Sequence, residues 1–454
     1  MITLSEAALA TGGKLIGGDI TFDAISTDTR QAMPGALFIA LRGERFDGHD
    51  YIEQAAEHGA VAALVAHSAA RQAPAGLPLL EVADTRLALG DLAAFWRRKF
   101  DIPVIGITGS NGKTTVKEMC AAILRAYFGA DEVLATQGNL NNDIGMPQMV
   151  LRLRATHRAA VLEMGMNHPG EIGYLAPIAR PTVAVVTNAQ RAHLEGMGEL
   201  DAVAREKGSI YGALPDDGAA VVNCDDTHAG MWRDQNKGKR VITFGLSHEA
   251  DVCATVSQLA FGSRIAMRAL GHDARFDLPV PGLHNVRNAM AAAAATLAAG
   301  VSLDAVVDGL SGFSGTKGRL QVRRARNGAI LLDDTYNANP DSVRAGIDVL
   351  AATPGKKVLV LGDMGEIGDM SAQMHDEIGG YAKSQGVDHL LALGENSAVA
   401  ARNFGGGGEH FERVDDLIKA LDKLLADDVV VLVKGSRFMK MERVSEAIAQ
   451  QGAQ

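Results

Sequence analysis

Apolar and polar positions along this chain fall into short blocks whose period changes from one stretch to the next. Near the start, Ala36–Leu41 and Val61–Val65 read as strands, with a helix between them from about Tyr51 to His58. The Ala/Pro/Gly-rich stretch Ala69–Pro78 reads as a surface loop near a boundary, and Thr85–Phe100 as a helix leading into a second unit. From Pro103 onward VIGIT, AAVLEMG, TVAVVTN and AAVVN are β-rich runs, each followed by turn or helix signals. That alternation predicts a mostly parallel sheet with helices on its faces. Beyond Asp251 the run RIAMRALGHDARFDLPVPG has a hairpin period and predicts an antiparallel flank, followed by an alanine-rich helix at about Asn285–Ala299. A Gly/Ser-rich segment, SGFSGTKGR, marks a hinge near Gly315–Arg319. AILLDD, a helix after Pro340, KVLVLG, another helix, HLLALG and VVVLVKG then form a second α/β unit of dinucleotide-fold outline. The run Gly405–Gly408 reads as a flexible loop. The expected fold is α/β in three domains. A small mixed α/β unit covers 1–83, and 84–314 is a P-loop-type sheet, mostly parallel, with helices on both faces. A Rossmann-like α/β unit covers 315–454.

Composition changes this picture little but excludes several functions. A chain of 454 residues is too long for one ordinary core, consistent with two or three domains. The net charge is -10 and no run of Lys and Arg stands out, which argues against nonspecific binding to nucleic acid or to an anionic membrane. An acidic chain can still hold an anion where backbone N–H groups and a few basic side chains gather. Cys120, Cys224 and Cys253 are far apart, forming neither a metal-type cluster nor a disulfide framework. The N-terminus has an early Glu and no basic start before an apolar core, unlike a signal peptide. No uncharged apolar stretch approaches the ~20 residues that span a bilayer. A cytoplasmic monomer without integral membrane contact is expected.

Candidate chemistry concentrates first in Val104-Ile-Gly-Ile-Thr-Gly-Ser-Asn-Gly-Lys-Thr-Thr115. A strand enters a Gly-rich turn, then Lys, then a hydroxyl residue, then a helix. Such a turn aims backbone N–H groups and a helix N-terminus at one point, which suits a polyphosphate. Thr108, Gly109, Ser110, Asn111 and Gly112 would cradle it, Lys113 would reach the outer phosphates, and the Thr114 hydroxyl could ligate Mg²⁺. Ile107 stands where the usual P-loop has its first Gly, and the glycines fall at 106, 109 and 112. The bland alternative is a glycine turn that only closes a βα connection.

Downstream, Glu163 ends a buried strand, on the side of an open α/β sheet where ligands bind. Taken alone it reads as a strand-end charge facing solvent. His193 follows TVAVVTN and alone reads as a loop histidine. Lys207, on a helix, alone reads as solvated surface. The three gain meaning together, each after a successive strand of one sheet.

GITGSNGKTT, QGNLNNDIGMP, LEMGMN, NAQRAHLEGMG, REKGSI, HNVRNAMAA, KGRLQV, DDTYNANPDS, LGDMGEIG and VKGSR occur in the order seen in the Mur ligases, and the resemblance covers almost the whole chain. In that family the unusual glycine spacing of the phosphate loop is the normal one. The resemblance implies an ATP-dependent, ADP-forming amide ligase whose catalytic residues would be Lys113, Lys207, His193 and Arg319. Thr114 and Glu163 would bind one Mg²⁺, and His193 with a carbamylated Lys207 would serve a second. Asn285, Asn288 and Asp334 would contact adenine and ribose, and Arg319 would bring positive charge to the γ-phosphate when the domains close. Asn139 and Asn142 resemble residues near phosphate and substrate, although each Asn could equally be a turn former or helix cap.

Ser26-Thr-Asp-Thr-Arg30 and the loop Arg42-Gly-Glu-Arg-Phe-Asp-Gly-His49 resemble the family's uridine-diphosphate-binding elements, with Thr29 where Ser is usual. Ser26, Thr27, Asp28, Arg30, Arg42, Gly43, Asp47, Gly48 and His49 are the expected contacts, and unaided they would read equally well as structural turns. The DDTYNANP stretch, with Tyr336, Asn337 and Asn339, matches the branch that adds D-alanyl-D-alanine to UDP-N-acetylmuramoyl-tripeptide. The Asp-Asn-Pro-Arg motif of the diamino-acid-adding branch is missing. Two rivals remain at this stage: a folate polyglutamate-forming relative, which would not need STDTR or DDTYNANP, and a nucleotide-binding scaffold without turnover.

Overall fold

The computed structural model describes residues 1–67, 74, 76–190 and 199–450. Three main sheets follow one another along the chain. The first runs Lys14–Ile16, Leu79–Val82, Ala62–Ala66, Ala36–Ile39, Ala24–Ser26 in spatial order. It is parallel except where Lys14–Ile16 meets Leu79–Val82. Between two of these strands the expected helix from Tyr51 splits into a 3-10 turn, Gly48–Tyr51, and a short helix, Ile52–Glu57.

The second sheet has nine strands. Val104–Thr108 lies at its heart, hydrogen-bonded on both sides to parallel neighbours, Ala159–Glu163 and Val183–Val186. The expected antiparallel flank is a meander of Val252–Leu259, Gly262–Ala269 and His272–Leu278. Side chains alternate across the strand: Ile105 and Ile107 pack into one core with the helices Lys113–Phe128 and Leu283–Ala298, while Val104 packs into the other. Because helices cover both faces, strands such as Val183–Val186 are apolar at every position. The alanines from Ala289 to Ala295 are all buried against the sheet, and their small side chains let that helix lie close to it. On the opposite face Thr85–Arg97 contributes Leu89, Leu92 and Trp96 to a core that also contains Leu37, Leu64 and Leu80 of the first sheet. The first two units therefore share one continuous apolar core.

The third sheet runs Gln321–Arg324, Ile330–Asp334, Val429–Lys434, Lys356–Gly362, His389–Leu393, Gly408–Phe411, parallel apart from its first hairpin. The connector before it is a tight turn, with Gly315 and Gly318 at positive φ and Arg319 N–H donating to the Thr316 carbonyl at 2.9 Å. The expected flexible loop at Gly405–Gly408 is instead a structured turn: Gly405 caps the helix Ser397–Phe404, and Gly408 opens the edge strand. No helix among the described residues is long and apolar enough to cross a membrane.

Candidate active site between the second and third sheets

Gly109 (φ 148°) and Gly112 (φ 84°) shape the turn after Val104–Thr108. Close approach makes glycine necessary at both: a Cβ on Gly109 would lie 1.8 Å from Thr187 Oγ1, and one on Gly112 would lie 2.4 Å from Asn288 Oδ1. The turn is then fixed by its neighbour. Ser110 N–H donates to the Asn188 carbonyl (3.0 Å), Asn111 N–H to Asn188 Oδ1 (2.9 Å), and Thr187 Oγ1 to the Asn111 carbonyl (2.7 Å). Ser110 Oγ exchanges hydrogen bonds with the Gln190 backbone, at 3.0 and 2.9 Å. Lys113 Nζ folds back onto the Gly109 and Ser110 carbonyls at 2.6 and 3.3 Å, and the helix Lys113–Phe128 begins there. The result is a rigid anion cradle at a helix N-terminus.

Strand pairing places Glu163 opposite Ile107, one residue before Thr108. The solvent-facing reading of Glu163 is overturned, since the residue is 2% exposed. Its Oε1 accepts from Asn141 Nδ2 at 2.8 Å, whereas Oε2 is buried without a hydrogen-bond partner, as is Thr108 Oγ1. A carboxylate oxygen in that setting calls for a cation. Lys207 is likewise not surface: it is 1% exposed, and burial, reinforced by the charge of Lys113, pushes its ammonium well below the usual lysine range. Lys113 itself is shifted down, first by desolvation, while Glu163 opposes that shift. Among the described residues no three His, Cys, Asp or Glu side chains form a ready-made metal cluster. A lone buried carboxylate oxygen beside a hydroxyl fits an ion such as Mg²⁺, which keeps water and phosphate oxygens in its shell. His193 lies outside the described residues.

The third sheet closes over this cradle. Arg319 Nη2 donates to Thr114 Oγ1 at 3.3 Å, and its guanidinium sits 4.0 Å from the Tyr336 ring centroid. Asn339 Nδ2 donates to Asn111 Oδ1 at 2.8 Å while its own Oδ1 caps the helix Pro340–Ala352 through Ser342 N–H. Between the two units lies a cavity of about 650 Å³, lined by Ser110–Thr114, Asn139, Asn141, Asn142, Glu163, Arg319, Tyr336, Asn337 and Asn339 among others. Asn142 also serves locally, accepting from Gly145 N–H at 2.8 Å. Asn337 Oδ1 accepts from the N–H groups of Ala338 (2.9 Å) and Arg437 (3.3 Å).

A second cavity, about 380 Å³, continues past Gly112 to Asn285, Asn288, Asp334, Phe244 and Lys434. Asn285 Nδ2 donates to the Pro281 carbonyl at 2.8 Å, and Asn288 Nδ2 to Asn285 Oδ1 at 3.2 Å. Lys434 Nζ donates to Asp334 Oδ2 at 2.6 Å and to the Asn337 carbonyl at 2.9 Å. Burial pushes the Asp334 carboxyl up and the Lys434 ammonium down, and their mutual contact opposes both shifts.

The residues expected to hold uridine diphosphate do not line either cavity. Ser26 and Thr27 lead into a turn in which Asp28 N–H donates to Ser26 Oγ (3.2 Å), and Arg30 grips Asp28 at 2.6 Å, holding its carboxyl at about 2. Thr29, at the departure from the family pattern, donates to Gln54 Oε1 at 3.1 Å. In the second loop Gly43 packs on the Phe46 ring, and Gly48 abuts the Leu41 backbone. Asp47 accepts from Arg42 Nε at 2.8 Å and pairs with His49 Nδ1 at 2.5 Å. Burial opposes ionisation of Asp47, but the His49 contact and then Arg42 outweigh it, leaving its carboxyl at about 2. His49 Nε2 accepts from Ala66 N–H at 2.9 Å, so this loop is tied to its sheet.

Sequence reasoning passed over Asn141, Thr187 and Lys434. Asn141 stands in the same GNLNN stretch as Asn139 and Asn142, and Lys434 in the VKGSR run, so the motifs held the signal. Which side chain of a loop faces inward is set by tertiary packing.

A phosphate cradle closed by a second α/β unit suits an ATP-using enzyme that shields an activated intermediate from water. Family models agree: Mur ligase middle domain matches residues 107–296, the Mur ligase glutamate ligase domain 318–437, and the Mur ligase family catalytic domain 21–97. UDP-N-acetylmuramoyl-tripeptide–D-alanyl-D-alanine ligase of Escherichia coli (strain K12) is 43% identical, covering 99% of each chain. A crystal structure of MurF from Acinetobacter baumannii superposes with a TM-score of 0.89 at 38% identity over 98% of both chains. MurF ligase from Thermotoga maritima in complex with ADP gives 0.81 at 26% identity, over 94% of this chain and 96% of that one. The chain belongs to the Mur ligase family.

Proposed function

We propose that this protein joins D-alanyl-D-alanine to UDP-N-acetylmuramoyl-tripeptide, consuming ATP and releasing ADP and phosphate, in peptidoglycan precursor synthesis. The observation that carries the reading is the meeting of a phosphate cradle with Arg319, Tyr336 and Asn339 of a separate unit around one cavity. The full-length similarity to dipeptide-adding ligases supports the choice of substrates.

The tripeptide carboxylate attacks the γ-phosphate in line, the bond to ADP breaks, and an acyl phosphate forms. The dipeptide amine then attacks the acyl carbon, and phosphate departs with the former carboxylate oxygen. Two anions must first approach each other, so Lys113 and Arg319 contribute charge neutralisation and the glycine turn contributes positioning. Thr114 and Glu163 would hold Mg²⁺, with His193 and Lys207 toward a second ion; bound there, Mg²⁺ neutralises phosphate charge. Burial that favours a neutral Lys207 amine supports its carbamylation by CO₂, which would give an anionic group suited to a metal. Residues 1–83 would bind the uridine diphosphate, through Ser26, Thr27, Asp28, Arg30, Arg42, Gly43, Asp47, Gly48 and His49. Residues 84–314 would bind ATP, and 315–454 the dipeptide. Asn285, Asn288 and Asp334 would hold adenosine in the smaller cavity. Closure of the third unit keeps water from the acyl phosphate.

The test is phosphate release from ATP with each combination of UDP-tripeptide and dipeptide. Release that requires both supports the ligase. Release with neither, or none under any combination, rejects it.

A further inference from the structure

The wall of the larger cavity contributed by the third sheet contains a side-chain pattern that the reaction above does not use. Three loops build it, and Ser436 fastens them: its Oγ accepts from Gly365 N–H (2.7 Å) and donates to the Ala338 carbonyl (3.0 Å), while its N–H donates to the Asp363 carbonyl (3.0 Å). On this wall stand the apolar side chains of Ile367 and Met370, the Tyr336 ring, and two charged groups of opposite sign, Glu366 and Arg437. Toward the phosphate cradle lies Glu366, whose carboxylate acts on the Lys113 charge and whose backbone is left-handed (φ 60°), a strained conformation that non-glycine residues keep where surroundings hold it. Arg437 lines the same cavity, and its hydrogen bonds go to Asn337 and Glu442 rather than to the cradle. Both Arg319, anchored on Thr114, and Arg437 face the Tyr336 ring, at 4.0 and 5.7 Å from its centroid. Tyr336 thus links the Arg319 that touches the cradle to Arg437.

D-Alanyl-D-alanine is a zwitterion carrying two methyl groups, and its amine must point at the acyl phosphate. Its carboxylate then points away from the cradle, toward a guanidinium. Arg437 is suited to that role: its backbone N–H is tied to Asn337 Oδ1 (3.3 Å), Glu442 engages one terminal nitrogen (3.0 Å), and its side chain is 61% exposed in the cleft. A guanidinium has five N–H donors, so one such contact leaves others for a second carboxylate.

We propose that Arg437 determines specificity for the incoming dipeptide by binding its C-terminal carboxylate, with Glu366 at the amine end and Tyr336, Ile367 and Met370 along the methyl groups. This rests on the ligase reading above and adds a selection rule, namely that a free C-terminal carboxylate is required.

The experiment compares D-alanyl-D-alanine with its C-terminal amide as acceptors, in the wild-type protein and in Arg437→Ala and Arg437→Lys, with thermal melting to verify folding. The wild type should prefer the acid in kcat/KM by about 10- to 100-fold, the range of a charge-assisted hydrogen bond. Arg437→Ala should lose that preference through a raised KM for the acid, with the KM for ATP unchanged, and Arg437→Lys should restore part of it. A folded Arg437→Ala that discriminates acid from amide as strongly as the wild type overturns the proposal while leaving the ligase assignment intact. A wild type with no dipeptide-dependent turnover overturns both.

Discussion

The two walls of the large cavity are built from opposite materials. The second sheet offers main chain: a glycine turn, a helix N-terminus and strand ends, locked by hydrogen bonds from Thr187, Asn188 and Gln190. The third sheet offers long side chains, Arg319, Tyr336 and Arg437, projecting from loops. Around the cavity both units present the C-terminal ends of parallel strands, so the difference does not come from topology. A phosphate needs fixed N–H groups that do not rearrange as charge moves. Closure and acceptor choice need groups that arrive with a second body.

This contrast can be broken in graded steps. Removing the lysine of the rigid wall, Lys113→Ala, should lower kcat by about 10³-fold, with the melting temperature nearly unchanged because, among the described residues, its Nζ hydrogen-bonds two carbonyls. Steady-state assay beside calorimetry checks this. On the closing wall Arg319→Lys keeps the charge but loses the planar fork, and a fall in kcat of about 10²-fold is expected; a drop below threefold would mean that closure does not deliver this guanidinium to the phosphate. Asn339 separates closure from folding. Asn339→Ala removes both the helix cap and the donor to Asn111, giving about 1 kcal/mol less stability and slower turnover. Asn339→Asp keeps the cap acceptor and loses the donor, so its stability should stay near normal while kcat still falls several-fold.

A separate effect concerns pH. His284, beside the smaller cavity, is held at about 4, by burial first and then by the Lys434 and Arg287 charges. The unfolded chain protonates this histidine near 6.5, before the folded one does. Its contribution to stability is therefore complete above about pH 6.5 and is lost as pH falls toward about 4, by up to about 1.4 kcal/mol per pH unit. His284→Gln should flatten the acid limb of a denaturation series over that window. An unchanged limb would show that the histidine is not held neutral by the fold.

Legibility in the sequence follows the same division. The phosphate loop was readable because its chemistry lies in consecutive residues, and the α/β alternation because burial on both faces makes each strand uniformly apolar. Glu163 and Lys207 taken singly pointed to solvent, yet tertiary packing buries both, and local pattern carries no trace of that. The Gly405–Gly408 run looked loose because a helix cap and an edge turn use the same glycines that a flexible linker would. Arg437 and Glu366 line one cavity only because parallel strands bring two distant loops to one end of the sheet. Family resemblance covered much of this gap for motif residues, but it did not select Asn141 over Asn142 as the partner of Glu163.

The most direct test of the central claim labels the C-terminal carboxylate that accepts the dipeptide on UDP-N-acetylmuramoyl-tripeptide with ¹⁸O and follows the isotope during turnover with ATP and D-alanyl-D-alanine. Attack of that carboxylate on the γ-phosphate predicts one ¹⁸O atom in each phosphate released. Unlabelled phosphate alongside formed product would contradict the account.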